Sequence, residues 1–348
     1  MTTDTLGGVW NYSLELIAAL EEYGVEVLLF TMGAPLKENQ RLSVAQCSYL
    51  KVIETAFKLE WENAWEDVYA AGEQLLRLVE SFQPDIIHLN GYAHAALPWS
   101  KPVVVVGHSC VLSWWQAVHR QPAPEQWNRY QQEVSRGLQA ANAVVAPTSW
   151  MLEQLQLNYG IATPYQKVIP NGCNPNVFYP GKKKEPFVFT VGRLWDEAKN
   201  IGAIERIAPN LSWPVLVAGA STLREEEKPQ GGRQGFLSTT EVSLQYAKAS
   251  IYALPAYYEP FGLSVVEAAL SGCALILGDI PSLRENWEEA AFFVPPHDDE
   301  AILEAINCLI QDDETRTTLA LSARRCALTN FTSEKMGANY INLYRSLT

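Results

Sequence analysis

Apolar residues along this chain fall into two patterns. Short runs dominated by apolar residues lie at 25–30, 85–89, 102–106, 143–146 and 168–170. Between them, apolar residues recur at three- and four-residue intervals, as at Val9, Tyr12, Leu16 and Leu20, which predicts helices over 9–22, 61–82, 124–141 and 150–159. A block without polar alternation is a strand buried on both faces. Such strands alternating with amphipathic helices predict a parallel sheet covered by helices. The scheme repeats in the second half, with strands expected at 187–191, 214–218, 250–254, 274–277 and 291–294 and helices dominating the end of the chain. Between the halves lies "VIPNGCNPNVFYPGKKKEP", rich in Pro, Gly, Asn and Lys, a composition suited to a linker. The expected organisation is a first domain over 1–178 and a second beginning at 179, with the "KKK" run read as a solvated part of the linker. Two doubly wound α/β domains would face a cleft, and ligands in such sheets sit beyond the carboxyl ends of the strands.

Length and charge narrow the picture. The chain has 348 residues, enough for two cores. With 48% hydrophobic and 19% charged residues it reads as globular. No apolar run approaches the roughly 20 residues that span a bilayer, and the start of the chain lacks a signal-peptide pattern. A net charge of −13 argues against nucleic acid as a partner. Cys47, Cys110, Cys173, Cys273, Cys308 and Cys326 form no C-x-x-C pair, so buried thiols in a reducing, cytoplasmic compartment are expected. An anion bound by so acidic a chain must be held by a few placed cations and backbone N–H groups.

Candidate chemistry therefore belongs at strand-to-helix turns. In "FVFTVGRLWDEAKN", Gly192 and Arg193 follow a strand and Lys199 opens the next helix; Arg grips phosphate bidentately and Lys adds a point charge. In "YYEPFGLSVVEA", Glu259 and Glu267 flank Phe261, Gly262 and Leu263, whose N–H groups lead into a helix and can face an anion. Ser264-Val265-Val266-Glu267 also fits a capping box, with Ser264 as N-cap and Glu267 at N3, which would account for Glu267 without a ligand. Near the start, Gly7-Gly8 opens a helix but is not the G-x-G-x-x-G dinucleotide fingerprint. No D-x-D triplet occurs, and none of His88, His94, His108, His119 and His297 has zinc-ligand spacing. Trp10, Trp99, Trp114 and Trp115 are candidates for stacking on a sugar, with core filling as the competing fate.

These stretches carry a resemblance. "EPFGLSVVEA" has the Glu-x7-Glu spacing of the retaining GT-B glycosyltransferases of the group-1 family, family four in carbohydrate-enzyme numbering. "GGVW", "PDIIHLNG", "VVVGHS", "VIPNGCNPNVFYP", "VGRLWDEAKN", "VLVAGAS" and "SLRENWEEAAFFVPP" follow in that family's order. The resemblance covers nearly the whole chain and implies an α/β GT-B fold, two Rossmann-like doubly wound domains facing a central cleft. It further implies that the second domain spans 179–330 and that a helix within 331–348 packs back on the first. Two departures stand out: only a clipped first strand precedes Gly7-Gly8, and Asn200 follows Lys199 where the family often has glycine.

The resemblance also implies roles. Arg193 and Lys199 would hold the diphosphate of a nucleotide sugar. The N–H groups around Phe261, Gly262 and Leu263 would face the donor phosphate and sugar. Glu259 would hold sugar hydroxyls, Glu267 the ribose, and Phe236 the base, while Gly8 and His108 would reach the donor from the first domain. The implied reaction moves a hexose, with UDP-glucose the expected donor, to a hydroxyl of a saccharide or lipid-linked saccharide in polysaccharide or glycoconjugate synthesis. It needs no metal and no cofactor, and it leaves room for peripheral membrane contact. The rival readings are a nucleotide-sugar-binding protein without turnover, a nicotinamide enzyme, which lacks its glycine fingerprint, and a GT-B phosphorylase, for which no pyridoxal-anchoring lysine stands out.

Overall fold

The computed structural model describes residues 1–5, 7–45, 47–220 and 232–348, which form two compact units: 1–170 with 333–348, and 171–332. Leu6, which precedes Gly7-Gly8, and Ser221, the last residue of the "VLVAGAS" stretch, lie outside the described residues. The division falls earlier than the expected 178/179 for a packing reason. Cys173 and Phe178, at the tail of the expected first domain, are buried in the core of the second unit.

The first unit contains β1 (Thr2–Asp4), β2 (Val27–Met32), β3 (Leu50–Ile53), β4 (Ile87–Leu89), β5 (Val103–Val106), β6 (Ala143–Ala146) and β7 (Gln166–Val168). Two parallel ladders result, β1-β2-β3 and β4-β5-β6-β7. β5 and β6, the purest apolar blocks, are buried along their whole length. The first residues do form a strand, Thr2–Asp4, and its burial is hidden from hydropathy because it is polar. Thr2 and Thr3 are buried, and Thr3 Oγ1 accepts from the Ser13 hydroxyl at 2.9 Å. A side chain closes the seam between the ladders: Asn90, just past β4, donates from Nδ2 to the Thr2 carbonyl at 2.8 Å, and its N–H reaches Thr2 Oγ1 at 3.0 Å.

Several helices differ from the periodicity. The helix expected over 61–82 is Trp65–Phe82, because Asn63 adopts φ 58° and separates it from a 3-10 turn at Glu60–Glu62. The helix expected over 124–141 is Asn128–Ala140, preceded by a 3-10 turn at Glu125–Trp127. Val111–His119 is a further helix, not among those expected from the apolar pattern. Trp114 and Trp115 are half-buried there and pack on His119, whereas Trp10 is a core residue. The last helix, Ser333–Leu347, belongs to the first unit and packs on Gly8–Glu21. Gly337 permits this: a Cβ there would lie 2.7 Å from that of Ala19.

The second unit is one five-stranded parallel sheet, β12-β11-β10-β8-β9, built from β8 (Glu185–Val191), β9 (Val215–Ala218), β10 (Ala249–Leu254), β11 (Ala274–Gly278) and β12 (Phe292–Val294). Apolar cores cover both faces, which is why every residue of β10 and β11 is buried. From β8 the chain goes outward to β9, then returns to place β10 on the other side. The strand order therefore reverses between β8 and β10. Lys184 corrects the reading of the "KKK" run as merely solvated. Its Nζ donates to the Tyr246 carbonyl at 2.9 Å and the Ser271 carbonyl at 2.6 Å, at the ends of helices Thr239–Lys248 and Leu263–Leu270. A cation is favoured at such carbonyl ends. Among the described residues no helix is long and apolar enough to cross a membrane.

The first unit should be sensitive to acid. Burial pushes both His88 and His108 down to about 3, against about 6.5 in an unfolded chain. Between these values the unfolded state binds more protons. Their contribution is therefore complete above pH 6.5 and is lost as pH falls toward 3, by up to about 1.4 kcal/mol per pH unit for each histidine. Thermal denaturation from pH 7 to pH 5 should show a falling melting temperature, with the fall reduced in His88→Gln/His108→Gln. An equal fall in that variant would contradict the assignment.

Candidate functional site

The polar residues of the second unit gather where its strand order reverses. β8 ends at Val191 and turns through Gly192 and Arg193. A Cβ on Gly219, at the tip of β9, would lie 1.8 Å from the Gly192 carbonyl oxygen, and Gly219 has φ +143°, so glycine is required for the two tips to meet. Arg193 Nη2 donates to Asp196 Oδ2 at 2.6 Å, and its guanidinium lies 5.2 Å from the Trp195 ring. Its side chain remains 43% exposed, so the cation is held in place but open to solvent. Asp196 also accepts from the Ala198 N–H at 3.1 Å and so caps the 3-10 turn Glu197–Lys199. One buried carboxylate thus orients both the arginine and the turn that carries the lysine.

Lys199 Nζ donates to Glu259 Oε2 at 2.5 Å, with both side chains largely buried. This contact joins the β8 turn to the β10 loop. The backbone joins them too: the Tyr257 N–H reaches the Ala198 carbonyl at 2.8 Å, and the Glu259 carbonyl accepts from Ser282 Oγ at 2.6 Å. Asn200, the departure noted in the sequence, has φ 52°, a conformation that glycine adopts freely and Asn tolerates. Its Nδ2 donates to the carbonyls of Pro255 at 2.9 Å and Pro296 at 2.6 Å. The substitution for glycine therefore adds two tethers between loops without altering the turn.

The capping-box expectation is corrected. The helix is Leu263–Leu270, its N-cap is Gly262 with φ 88°, and no side chain caps it. Ser264 lies inside the helix, where its Oγ accepts from the Tyr252 hydroxyl at 2.8 Å. Glu267 is half-buried beyond the first turn, beside Tyr246 and Tyr252. Burial first, then Tyr252 and the Glu267 carboxylate, push the Tyr246 hydroxyl well above its ordinary range.

The other expected site residues are distributed as follows. The Phe261 side chain is in the core, edge-on to Phe331 at 5.4 Å, so only its backbone is available to a ligand. Gly262 needs its left-handed φ and begins the helix whose first N–H groups lie at the turn. Phe236 is 51% exposed and follows Gly235, whose carbonyl accepts from the Gly219 N–H at 2.8 Å, so it stands by the β9 tip. Gly8 and His108 belong to the first unit. The glycine demanded there is Gly7, with φ 88° at the N-cap of Gly8–Glu21. His108 Nε2 is 2.8 Å from Asn90 Oδ1, and its ring meets Tyr12 at 4.4 Å. Sequence reasoning missed Asp196, Asn90 and the tethering role of Asn200. Asp three residues before Lys, and Asn where glycine is common, were the available signals. Among the described residues no group of three His, Cys, Asp or Glu could hold a metal ion.

Comparison with known proteins places this geometry. Residues 6–177 match the family model described as Glycosyltransferase Family 4, and residues 178–325 match Glycosyl transferases group 1. An alpha-maltose-1-phosphate synthase of Mycolicibacterium smegmatis is 24% identical over 61% of this chain, and the match spans 65% of that protein, just under two thirds of its length. Sucrose-phosphate synthase from Thermosynechococcus elongatus superposes with a TM-score of 0.80 over 99% of this chain and 95% of that one, at 22% identity. The Anabaena protein HepE, in complex with UDP-glucose, gives 0.77 over 99% of both chains at 18% identity. These likenesses establish the fold.

Lys199 and Glu259 should behave as one unit. In chemical denaturation, Lys199→Ala and Glu259→Ala should each destabilise the second unit, and the double variant should lose less than their sum, with a coupling of about 0.5–3 kcal/mol. Simple additivity would show that the contact contributes nothing.

Proposed function

The chain belongs to the group 1 glycosyltransferases of the family 4 type, with their GT-B fold of two Rossmann-like domains, and we propose that it moves a hexose from a nucleoside diphosphate sugar to an acceptor hydroxyl with retention at the anomeric carbon. The observation that carries this reading is the joining of Arg193, Lys199 and Glu259 at the β8/β10 reversal, beside the glycine-opened helix Leu263–Leu270. Ligands of open parallel sheets bind at such reversals, beyond the strand carboxyl ends. UDP-glucose is the proposed donor, supported by the complex of the Anabaena relative. A saccharide or lipid-linked saccharide is the proposed acceptor, in polysaccharide or glycoconjugate synthesis. The proposed setting is cytoplasmic, which suits six free thiols, with peripheral membrane contact allowed.

The residues fit distinct tasks. Arg193 offers a solvent-open guanidinium to the diphosphate. Lys199 has three N–H donors, so it can keep its bond to Glu259 and still contact a phosphate oxygen. As the glycosidic bond breaks, the leaving diphosphate gains negative charge, and cations already fixed in place stabilise it without reorganising. The Phe261–Leu263 backbone N–H groups face the phosphate and sugar. Glu259, buried and anchored at both ends, reads sugar hydroxyls, Glu267 reads the ribose, and Phe236 lies against the base. A donor-contacting role for His108 and Gly8, both of the first unit, is part of the same proposal. The departing phosphate oxygen takes the acceptor's proton on the same face. Arg193 and Lys199 supply the countercharge that a metal would otherwise provide, so no metal or cofactor is proposed.

The two glutamates separate this reading from a purely structural one. Glu259→Gln should depress transfer far more than affinity for UDP, which carries no sugar. Glu267→Gln should weaken UDP binding by about 1.5–3 kcal/mol with the melting temperature unchanged. Calorimetric titration with UDP and initial rates with UDP-glucose measure both effects. Normal turnover in Glu259→Gln would remove the donor-site assignment, and absence of turnover in the unaltered protein with any nucleotide sugar would favour a binding protein.

Transfer should also persist in excess EDTA. A complete loss that magnesium or manganese restores would show that the countercharge has been misassigned.

A further inference from the structure

The seam that joins the two ladders of the first unit also determines a proton. Asn90 Nδ2 lies 2.8 Å from the Thr2 carbonyl, and a carbonyl can only accept, so the amide orientation is decided. The same Nδ2 is 3.3 Å from the Ser13 hydroxyl. Oδ1 therefore faces the histidines, 2.8 Å from His108 Nε2 and 3.2 Å from His88 Nε2. An amide oxygen also only accepts, so both Nε2 atoms must carry hydrogen. On the far side of His88, the Tyr344 hydroxyl of the last helix lies 2.6 Å from Nδ1 and donates to it. Each ring is neutral at physiological pH because burial disfavours the imidazolium. One proton per ring, placed on Nε2, leaves the Nδ1 of His108 as a bare lone pair. Among the described residues that nitrogen has no hydrogen-bond partner.

We propose that Asn90 is a positioning residue that locks His108 in its Nε2–H tautomer, so that Nδ1 is presented to substrate as a hydrogen-bond acceptor for a hydroxyl. The contact between His108 and substrate rests on the glycosyltransferase reading above; the tautomer does not. In this state His108 can neither donate a proton nor pair with an anion. It selects an O–H group and disfavours a carboxylate in the same place. Tyr12, edge-on to the ring, fixes its plane. Tyr344 fixes the tautomer of His88, and His88 in turn shares the Asn90 oxygen, so the last helix supports the same arrangement.

Long-range proton–nitrogen NMR of the histidine rings in the full chain tests this directly, with His88→Gln and His108→Gln assigning the signals. The expected result is that both rings are Nε2–H and do not titrate between pH 5.5 and 8. In Asn90→Ala, His108 should move to a mixture of tautomers. The kcat for transfer should fall roughly tenfold to hundredfold while UDP affinity stays unchanged. A wild-type His108 protonated on Nδ1, or titrating near 6.5, would overturn the proposal, as would an Asn90→Ala variant that keeps both tautomer and rate. The wild-type spectrum decides the tautomer even if the alanine variant does not fold. If no nucleotide sugar is turned over, the functional reading fails while the spectrum still stands.

Discussion

The ion pair between Lys199 and Glu259 depends on a reversal of strand order, and the polar contacts at that reversal are arranged around the pair. Lys199 sits on the turn after β8 and Glu259 on the loop after β10. The two loops can meet because β8 and β10 are sheet neighbours with their chain connections leaving in opposite directions. A largely buried pair is strongly destabilised when one partner is lost. It is therefore reinforced from several sides: Asp196 caps the lysine's turn, Asn200 ties it to Pro255 and Pro296, and Ser282 holds the Glu259 backbone. The result is a fixed cation and carboxylate rather than a mobile surface pair.

The first unit solves a similar problem with neutral groups. Its β1 and β4 strands belong to separate ladders, and Asn90 bridges them through Thr2. Burial excludes charge from this seam, so the histidines beside it are useful as oriented dipoles and not as titrating acids. Small residues set other close approaches in this unit. Gly337 lets the last helix lie against Ala19, and a Cβ on Gly137 would fall 2.0 Å from the Tyr92 carbonyl oxygen.

Local rules misled where two of them competed. Ser264 and Glu267 satisfy the spacing of a capping box, yet the helix starts earlier because Gly262 can adopt φ 88° and Ser264 is claimed by Tyr252. The lysine run suggests a solvated linker, yet the carbonyl ends of two helices converge on Lys184. In both cases a partner distant in sequence outweighed the neighbours, and nothing in a short window encodes that partner.

By itself, the sequence determined the parallel α/β class, the tandem arrangement, and the turns on which Arg193, Lys199 and Glu259 stand. Unbroken apolar strands and helical periodicity are local consequences of burial on two faces or on one, so they are legible in short stretches. It did not reveal the nine-residue helix Val111–His119, or β1, whose buried threonines are satisfied by Ser13 and Asn90. Only the tertiary structure decided that Lys199 touches Glu259, that Asn200 does a glycine's work while tying two loops, and that Asn90 sets the proton on His108. Each of these is a hydrogen bond or ion pair between residues far apart in the chain. Its strength depends on distance, burial and orientation, which exist only after the strands have been ordered.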